Sequence, residues 1–175
     1  MKRKHKVIIG IVCAVLVAVV AYQWLYWFRE GTDLQQRGSV TAQKETIRLF
    51  SPLSNMKLGN RVLEIRSDMP DKERADLILR ELKKDKVISP GVQLRDVVIG
   101  LDGVLYLNLS RNLAEVRPGA PSEIVVVYSL VNSFVSSFNG VRKVQLLLDG
   151  EPTYTIGGVL YAYLPLEFNK DLTED

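Results

Sequence analysis

The sequence predicts an α+β domain, a mainly antiparallel sheet with two helices packed on one face, behind an N-terminal transmembrane helix. Three observations predict it. Apolar residues recur at strand spacing in segments around two Asp-Gly dipeptides, and at helical spacing in two other segments. A run of 22 residues, Val7 to Phe28, carries no charge.

That run comes first in the chain. Only Gly10 and Gln23 within it fall outside the apolar class. A helix of this length, at about 1.5 Å per residue, spans a hydrocarbon core of roughly 30 Å. Tyr22, Trp24, Tyr26 and Trp27 gather at its C-terminal end, where aromatic rings suit a membrane–water interface. Lys2, Arg3, Lys4 and Lys6 precede it, which predicts a basic cytoplasmic head (residues 1–6) and an extracytoplasmic remainder. The alternative is a cleaved signal peptide with Val19-Val20-Ala21 as its site, but the apolar run is longer than a signal h-region and continues past that site. Residues 29–44 are polar, with two glycines and no apolar period, and read as a linker.

The folded domain is expected over residues 45–168, with a flexible tail at 169–175. Thr46 to Phe50 and Arg61 to Arg66 alternate as strands. Residues 71–86 form a helix, with Ala75, Ile78, Leu79 and Leu82 on one face and Asp68 or Asp71 as its N-cap. Leu94 to Leu101 and Val104 to Leu109 flank Asp102-Gly103, which suits a type I′ hairpin turn. Residues 122–138 are a second helix, since Val127, Val131, Phe134 and Phe138 are spaced by four, three and four. Val141 to Leu148 is a strand and Asp149-Gly150 a second hairpin turn, with Pro152 limiting the return strand. Thr153 to Ile156 alternates, Gly157-Gly158 allows a bend, and Val159 to Leu164 reads as a last strand.

Composition narrows the function. The formal net charge is +3 and the pI is about 9.0, yet from Arg29 onward 19 basic residues face 20 acidic ones. The basic excess is confined to the head, so a nucleic-acid-binding face is excluded. The single histidine, His5, is in the head, which removes Ser-His and Cys-His catalysis and His-based metal sites from the domain. The single cysteine, Cys13, lies in the apolar run, so no disulfide forms within the chain; without a small residue just before it, it reads as an apolar membrane residue rather than a lipid-anchored one.

From about Thr46 to Leu166 the chain resembles the GerMN domain of sporulation, spore-germination and other bacterial envelope proteins. The resemblance rests on Thr46-Ile47-Arg48-Leu49-Phe50, Leu63-Glu64-Ile65-Arg66, and the stretch from Asp102 to Ser110. It continues through Tyr128-Ser129-Leu130-Val131-Asn132-Ser133, the stretch from Val141 to Gly150, and Gly157-Gly158. It implies a non-enzymatic envelope module, similar in layout to small α/β domains that build ring-shaped assemblies. There are two departures. Members often carry a polar continuation with a His after the paired glycines, where this chain has Val159-Leu160-Tyr161. Sporulation members can also carry two copies or a lipid anchor, where this chain has one copy behind a membrane helix, so the resemblance does not by itself imply sporulation.

Each candidate site has a plainer reading. Asp102 and Asp149 could be an acid/base pair, but each is explained by the glycine that follows it. Gly157-Gly158 could cradle phosphate, but it lacks the spacing and lysine of a P-loop. Ser110 has no histidine partner, and Lys83, Lys84 and Lys86 read as a solvated helix end. Asn108 is expected to close local backbone hydrogen bonds. Ser129, Asn132, Ser133, Ser136 and Ser137 line one side of the second helix; the stripe is either a solvated face or a protein–protein contact, since small residues four apart let another backbone approach. The sheet edge near Thr153 to Ile156 could also recruit a strand. No catalytic residue, metal or cofactor is expected.

The expected function is binding or assembly at the inner-membrane surface, with an envelope protein or a second copy as partner. A ligand-recognition module for a cell-wall component is the alternative. No aromatic cluster is legible in the domain, and a surface pocket lined by Tyr106, Tyr154, Tyr161 and Tyr163 would favour that alternative.

Overall fold

A computed structural model describes residues 22–23, 44–115 and 122–174. The head, most of the apolar run with Trp24, Tyr26 and Trp27, and nearly all of the linker lie outside the described residues. Among the described residues no helix is long and apolar enough to cross a membrane. The chain divides into two units, Met1–Ala42 and Gln43–Asp175, and the second carries every element below.

Strands β1 (Lys44–Pro52) and β2 (Leu58–Arg66) form an antiparallel hairpin. Helix α1 follows (Asp71–Lys84), then β3 (Leu94–Ile99), β4 (Val104–Leu109) and a 3₁₀ turn at Arg111–Ala114. Helix α2 (Glu123–Ser137) leads to β5 (Lys143–Leu148), β6 (Glu151–Pro152) and β7 (Leu166–Glu167). The N-cap position of α1 is Pro70, which makes no side-chain cap bond. Neither Asp68 nor Asp71 caps it; Asp71 is the first helical residue and acts through the positive end of the helix dipole.

The larger sheet has the order β3-β4-β5-β6, with β7 also on β5. The expected mainly antiparallel sheet is instead mixed, because β4 and β5 are parallel. The reason is the connection: β4 leads through α2 to β5, a crossover that returns the chain in the same direction. Strand β6 ends at Pro152, which has no N–H for the ladder. The strand expected at Val159 to Leu164 does not form; the chain from 153 to 165 is a long loop, and β7 follows Pro165.

Leu105, Leu107 and Leu109 of β4 and Val144, Leu146 and Leu148 of β5 face one main core. Ala75, Ile78, Leu79 and Leu82 of α1 and Val127, Leu130, Val131 and Phe134 of α2 fill it, with Ile47 and Leu49 of β1. The alternation within β4 leaves Tyr106 and Asn108 on the opposite, outer face. A smaller cluster joins Phe50, Leu58 and Val125 to Phe168 and Leu172. It also corrects the expectation of a flexible tail. Asn132 Oδ1 accepts the Asn169 N–H at 2.9 Å, Leu58 exchanges backbone bonds with Leu172 and Glu174, and Phe168 meets Phe50 edge-on at 5.4 Å.

Both Asp-Gly turns form, in different ways. Asp149 and Gly150 have φ of 49° and 92°, the two left-handed residues of a type I′ turn. At the first turn only Gly103 is left-handed, with φ of 78°. Gly100 N–H bonds Val104 O and Gly103 N–H bonds Gly100 O, so this is a three-residue loop ending in a left-handed glycine rather than the expected I′ turn.

Candidate functional site

Thirteen residues, Thr153 to Pro165, contain no charged side chain. They form a loop closed at its neck by the Ala162 N–H donating to Tyr154 O at 2.8 Å. The loop is tied to the outer face of the sheet by Gln145, whose Nε2 donates to Ala162 O at 3.2 Å. Ile156 and Ala162 are buried. Ala162 turns inward, so its neighbours Tyr161 and Tyr163 turn outward, as alternation in an extended segment requires.

The neck therefore gathers three tyrosines. Tyr154 and Tyr163 stack, with centroids 4.7 Å apart and planes 13° from parallel, and Tyr161 lies 6.4 Å from each. They stay open to solvent, 67%, 53% and 39% exposed for Tyr154, Tyr161 and Tyr163. Val159 and Leu164 beside them are more than half exposed. On the same sheet face Tyr106 and Val98 stand in register with each other and are part-exposed. The three ring contacts involve only Tyr154, Tyr161 and Tyr163 among the four tyrosines named from sequence.

The far end of the loop wraps a carboxylate. Glu123, the first residue of α2, accepts the N–H of Ile156 on Oε1 at 2.9 Å and that of Val159 on Oε2 at 2.5 Å. Burial by itself would raise its pKa; the N–H groups of Gly157, Val159, Ile156 and Leu160 outweigh that and hold the carboxyl below the ordinary glutamate value. Gly158 turns the chain at this point, with φ of 97°. The main chain on either side of the paired glycines does hold an anion, and it belongs to the chain itself.

The other candidates have structural roles. Asp102 precedes β4 and Asp149 follows β5; these are opposite ends of two parallel six-residue strands, roughly 20 Å apart, so they form no acid/base pair. The Asp102 carboxylate accepts the Val104 N–H, and Asp149 is paired with Arg95 and Arg111. Asn108, expected to close local backbone bonds, instead accepts on its Oδ1 the N–H of Gly150 at 2.8 Å, 42 residues away at the turn after β5. Ser110 is buried, and its Oγ accepts the Gln93 N–H.

The serine stripe of α2 is corrected. Ser129, Asn132, Ser133 and Ser137 are buried and only Ser136 is exposed. A backbone does approach closely, but it is β1 of the same chain: Phe50 N–H donates to Ser133 Oγ at 2.8 Å and Arg48 N–H to Ser137 Oγ at 3.1 Å. The sheet edge expected at Thr153 to Ile156 does not form either, since those residues are the start of the loop.

Sequence reading missed two features. One is the tyrosine cluster, whose signal was three tyrosines inside an uncharged stretch. The other is Arg74, nearly buried, which pairs with Glu45 at 2.6 Å, donates to Ser137 O and lies over the Phe138 ring. Among the described residues no group of three or more His, Cys, Asp or Glu could hold a metal ion. What the loop surface offers is ring faces, phenol hydroxyls and apolar side chains.

This architecture has relatives among solved structures. The tandem GerMN domains of the sporulation protein GerM from Bacillus subtilis are 17% identical with a TM-score of 0.55, over 70% of this chain and 46% of that one. This chain thus spans less than half the length of that relative. The first GerMN domain of the same protein is 14% identical with a TM-score of 0.50, over 73% of this chain and 98% of that one. No curated protein matches. The family model for Germane, described as sporulation and spore germination, matches residues 25–154. With most of the chain inside that match, and a fold shared with the GerMN structures, the protein belongs to the Germane family.

Proposed function

We propose that this chain is a non-enzymatic contact module of the bacterial cell envelope, and that its contact surface is the loop bearing Tyr154, Tyr161 and Tyr163. The observation that carries the reading is that three tyrosines are gathered, exposed and uncharged, on a loop tied down at both ends. Exposed apolar patches of this kind mark interaction sites, and tyrosine is enriched in them because it offers large area at low entropy cost. The partner on this reading is an envelope protein or a second copy of the chain.

The N-terminal apolar run supports a single-pass anchor in the inner membrane, with the basic head cytoplasmic and the domain extracytoplasmic. Confinement to the membrane surface would raise the effective concentration of the loop for partners there, so weak contacts would suffice. No enzymatic role is proposed, because the carboxylates and Ser110 are engaged in turns, ion pairs and backbone bonds.

The test is the triple variant Tyr154→Ser/Tyr161→Ser/Tyr163→Ser in the full chain. Native electrophoresis of gently solubilised membranes should show the wild-type chain in a larger complex and the variant released from it. A complex of unchanged size would count against the reading. The Tyr154–Tyr163 stack also favours a second one, recognition of an uncharged sugar of the cell wall on the ring faces. Retention on purified cell-wall sacculi by the wild type, lost in the triple variant, would select it.

A further inference from the structure

We infer that Glu123 is the positioning residue of the tyrosine surface: its carboxylate holds the loop tip so that the chain doubles back and sets Tyr161 and Tyr163 beside Tyr154. The functional half of this inference rests on the reading of those tyrosines as the contact surface. The geometric half does not.

The loop has three ties, and they do different things. The Ala162-to-Tyr154 bond closes the neck, and Gln145 fixes the neck to the sheet. Neither reaches residues 157–160, which join the two arms carrying the rings. That tip faces Glu123. Both carboxylate oxygens are used, Oε1 by Ile156 and Oε2 by Val159.

The chemistry calls for a carboxylate. Backbone N–H groups converging on two oxygens need an acceptor-only group with several lone pairs. Glutamine has the same shape but keeps one acceptor oxygen, and its NH₂ would point a donor at another donor. Bonds to an ionised acceptor are also the stronger kind. A first-turn acid acting only on the helix dipole would need none of these loop contacts. The tip in turn needs glycine at one position, Gly158, where φ is 97°.

The experiment uses the full chain in detergent micelles, as wild type, Glu123→Gln and Gly158→Ala. Hydrogen exchange is read for residues 156–160 and for β4 and β5, and ring-to-ring NOEs are read between labelled Tyr154 and Tyr163. In Glu123→Gln, exchange at 156–160 should rise on the order of tenfold or more, as expected for lost bonds to a charged acceptor. The Tyr154–Tyr163 NOE should fade while β4 and β5 stay protected. Gly158→Ala, which strains the tip without touching the helix, should reproduce this. Unchanged exchange at 156–160 in Glu123→Gln overturns the inference, also if Gly158→Ala alone frees the rings. Loss of protection across β4 and β5 overturns it too, since Glu123 would then support the whole fold.

A second arm places a photoreactive residue at position 161 in intact cells. The wild-type background should give a discrete adduct, and adding Glu123→Gln should reduce its yield at least several-fold. An unchanged yield with a loosened loop overturns the functional half. No adduct in the wild-type background overturns the contact reading and with it the functional half, while exchange and NOEs still decide the geometric half.

Discussion

The hydroxyl of Ser133 accepts the main-chain N–H of Phe50 at 2.8 Å, and Ser137 does the same for Arg48 two residues earlier in the strand. Two strand residues advance about 6.8 Å and four helix residues about 6 Å, so a serine every helical turn meets alternate N–H groups of an antiparallel strand. Continued one step, the same spacing would set the next serine, Ser129, against Pro52, which has no N–H to donate. Ser129 Oγ donates instead to Val125 O in its own helix. Helix α2 thus covers an edge of β1 that would otherwise invite another strand.

Ser133→Ala is therefore expected to leave a buried N–H without a partner and to cost about 1–3 kcal/mol, read as a lower denaturant midpoint. Ser133→Arg should prevent folding, since the site is fully buried. Ser136→Arg, on the exposed face, should change stability by no more than about 0.5 kcal/mol. Equal effects at 133 and 136 would contradict the packing of α2 on β1.

The glycines of the two hairpin turns should differ. Both have positive φ, but a Cβ on Gly103 would lie 2.9 Å from Gly140 O, whereas Gly150 has nothing within 4 Å. Gly150→Ala should cost roughly 1 kcal/mol from backbone strain, and Gly103→Ala clearly more, up to about 3 kcal/mol. Thermal melts of the two variants would settle it, and the reverse order would contradict the close approach of the 103 and 140 turns.

Arg74 ties α1 to the start of β1 and to the end of α2. Arg74→Ala removes the Glu45 pair, the bond to Ser137 O and the stacking on Phe138. The expected loss is about 3 kcal/mol, the low end for a buried pair, because the Glu45 side chain keeps some solvent contact. A loss below about 1 kcal/mol in urea titration would show the pair to be an ordinary surface one.

Glu123 sets an acid dependence. Its folded pKa is held below the unfolded value, so its contribution is present in full above the unfolded pKa and is lost as pH falls through the folded one. Glu81 and Glu167 are also lowered, by bonds to Lys84 and Lys143 first, so the measurement is a difference. Wild type minus Glu123→Gln stability should shrink as pH falls below the usual glutamate range. A difference independent of pH would contradict the ionised contact.

Much of this was legible in sequence because local and tertiary demands agree. The period of residues 71–84, the left-handed preference of Asp149-Gly150 and the alternation in β4 each point to what formed. The misreadings came where a distant partner decides. Thr153 to Ile156 and Val159 to Leu164 alternate like strands, but Pro152 stops the ladder and Glu123, some thirty residues earlier, captures the tip between them. The serine stripe, read as a solvated face or a protein–protein contact, is neither, because the backbone it meets is β1 of the same chain. The tyrosines are separated by the loop that brings them together, so no local period announces them.

The central claim is that the tyrosine loop, not the helix face, meets the partner. The most direct measurement is site-specific photocrosslinking in intact cells, comparing a photoreactive residue at position 161 with the same residue at position 136. The account predicts a discrete adduct from 161 and none from 136. An adduct from 136 with none from 161 would contradict it.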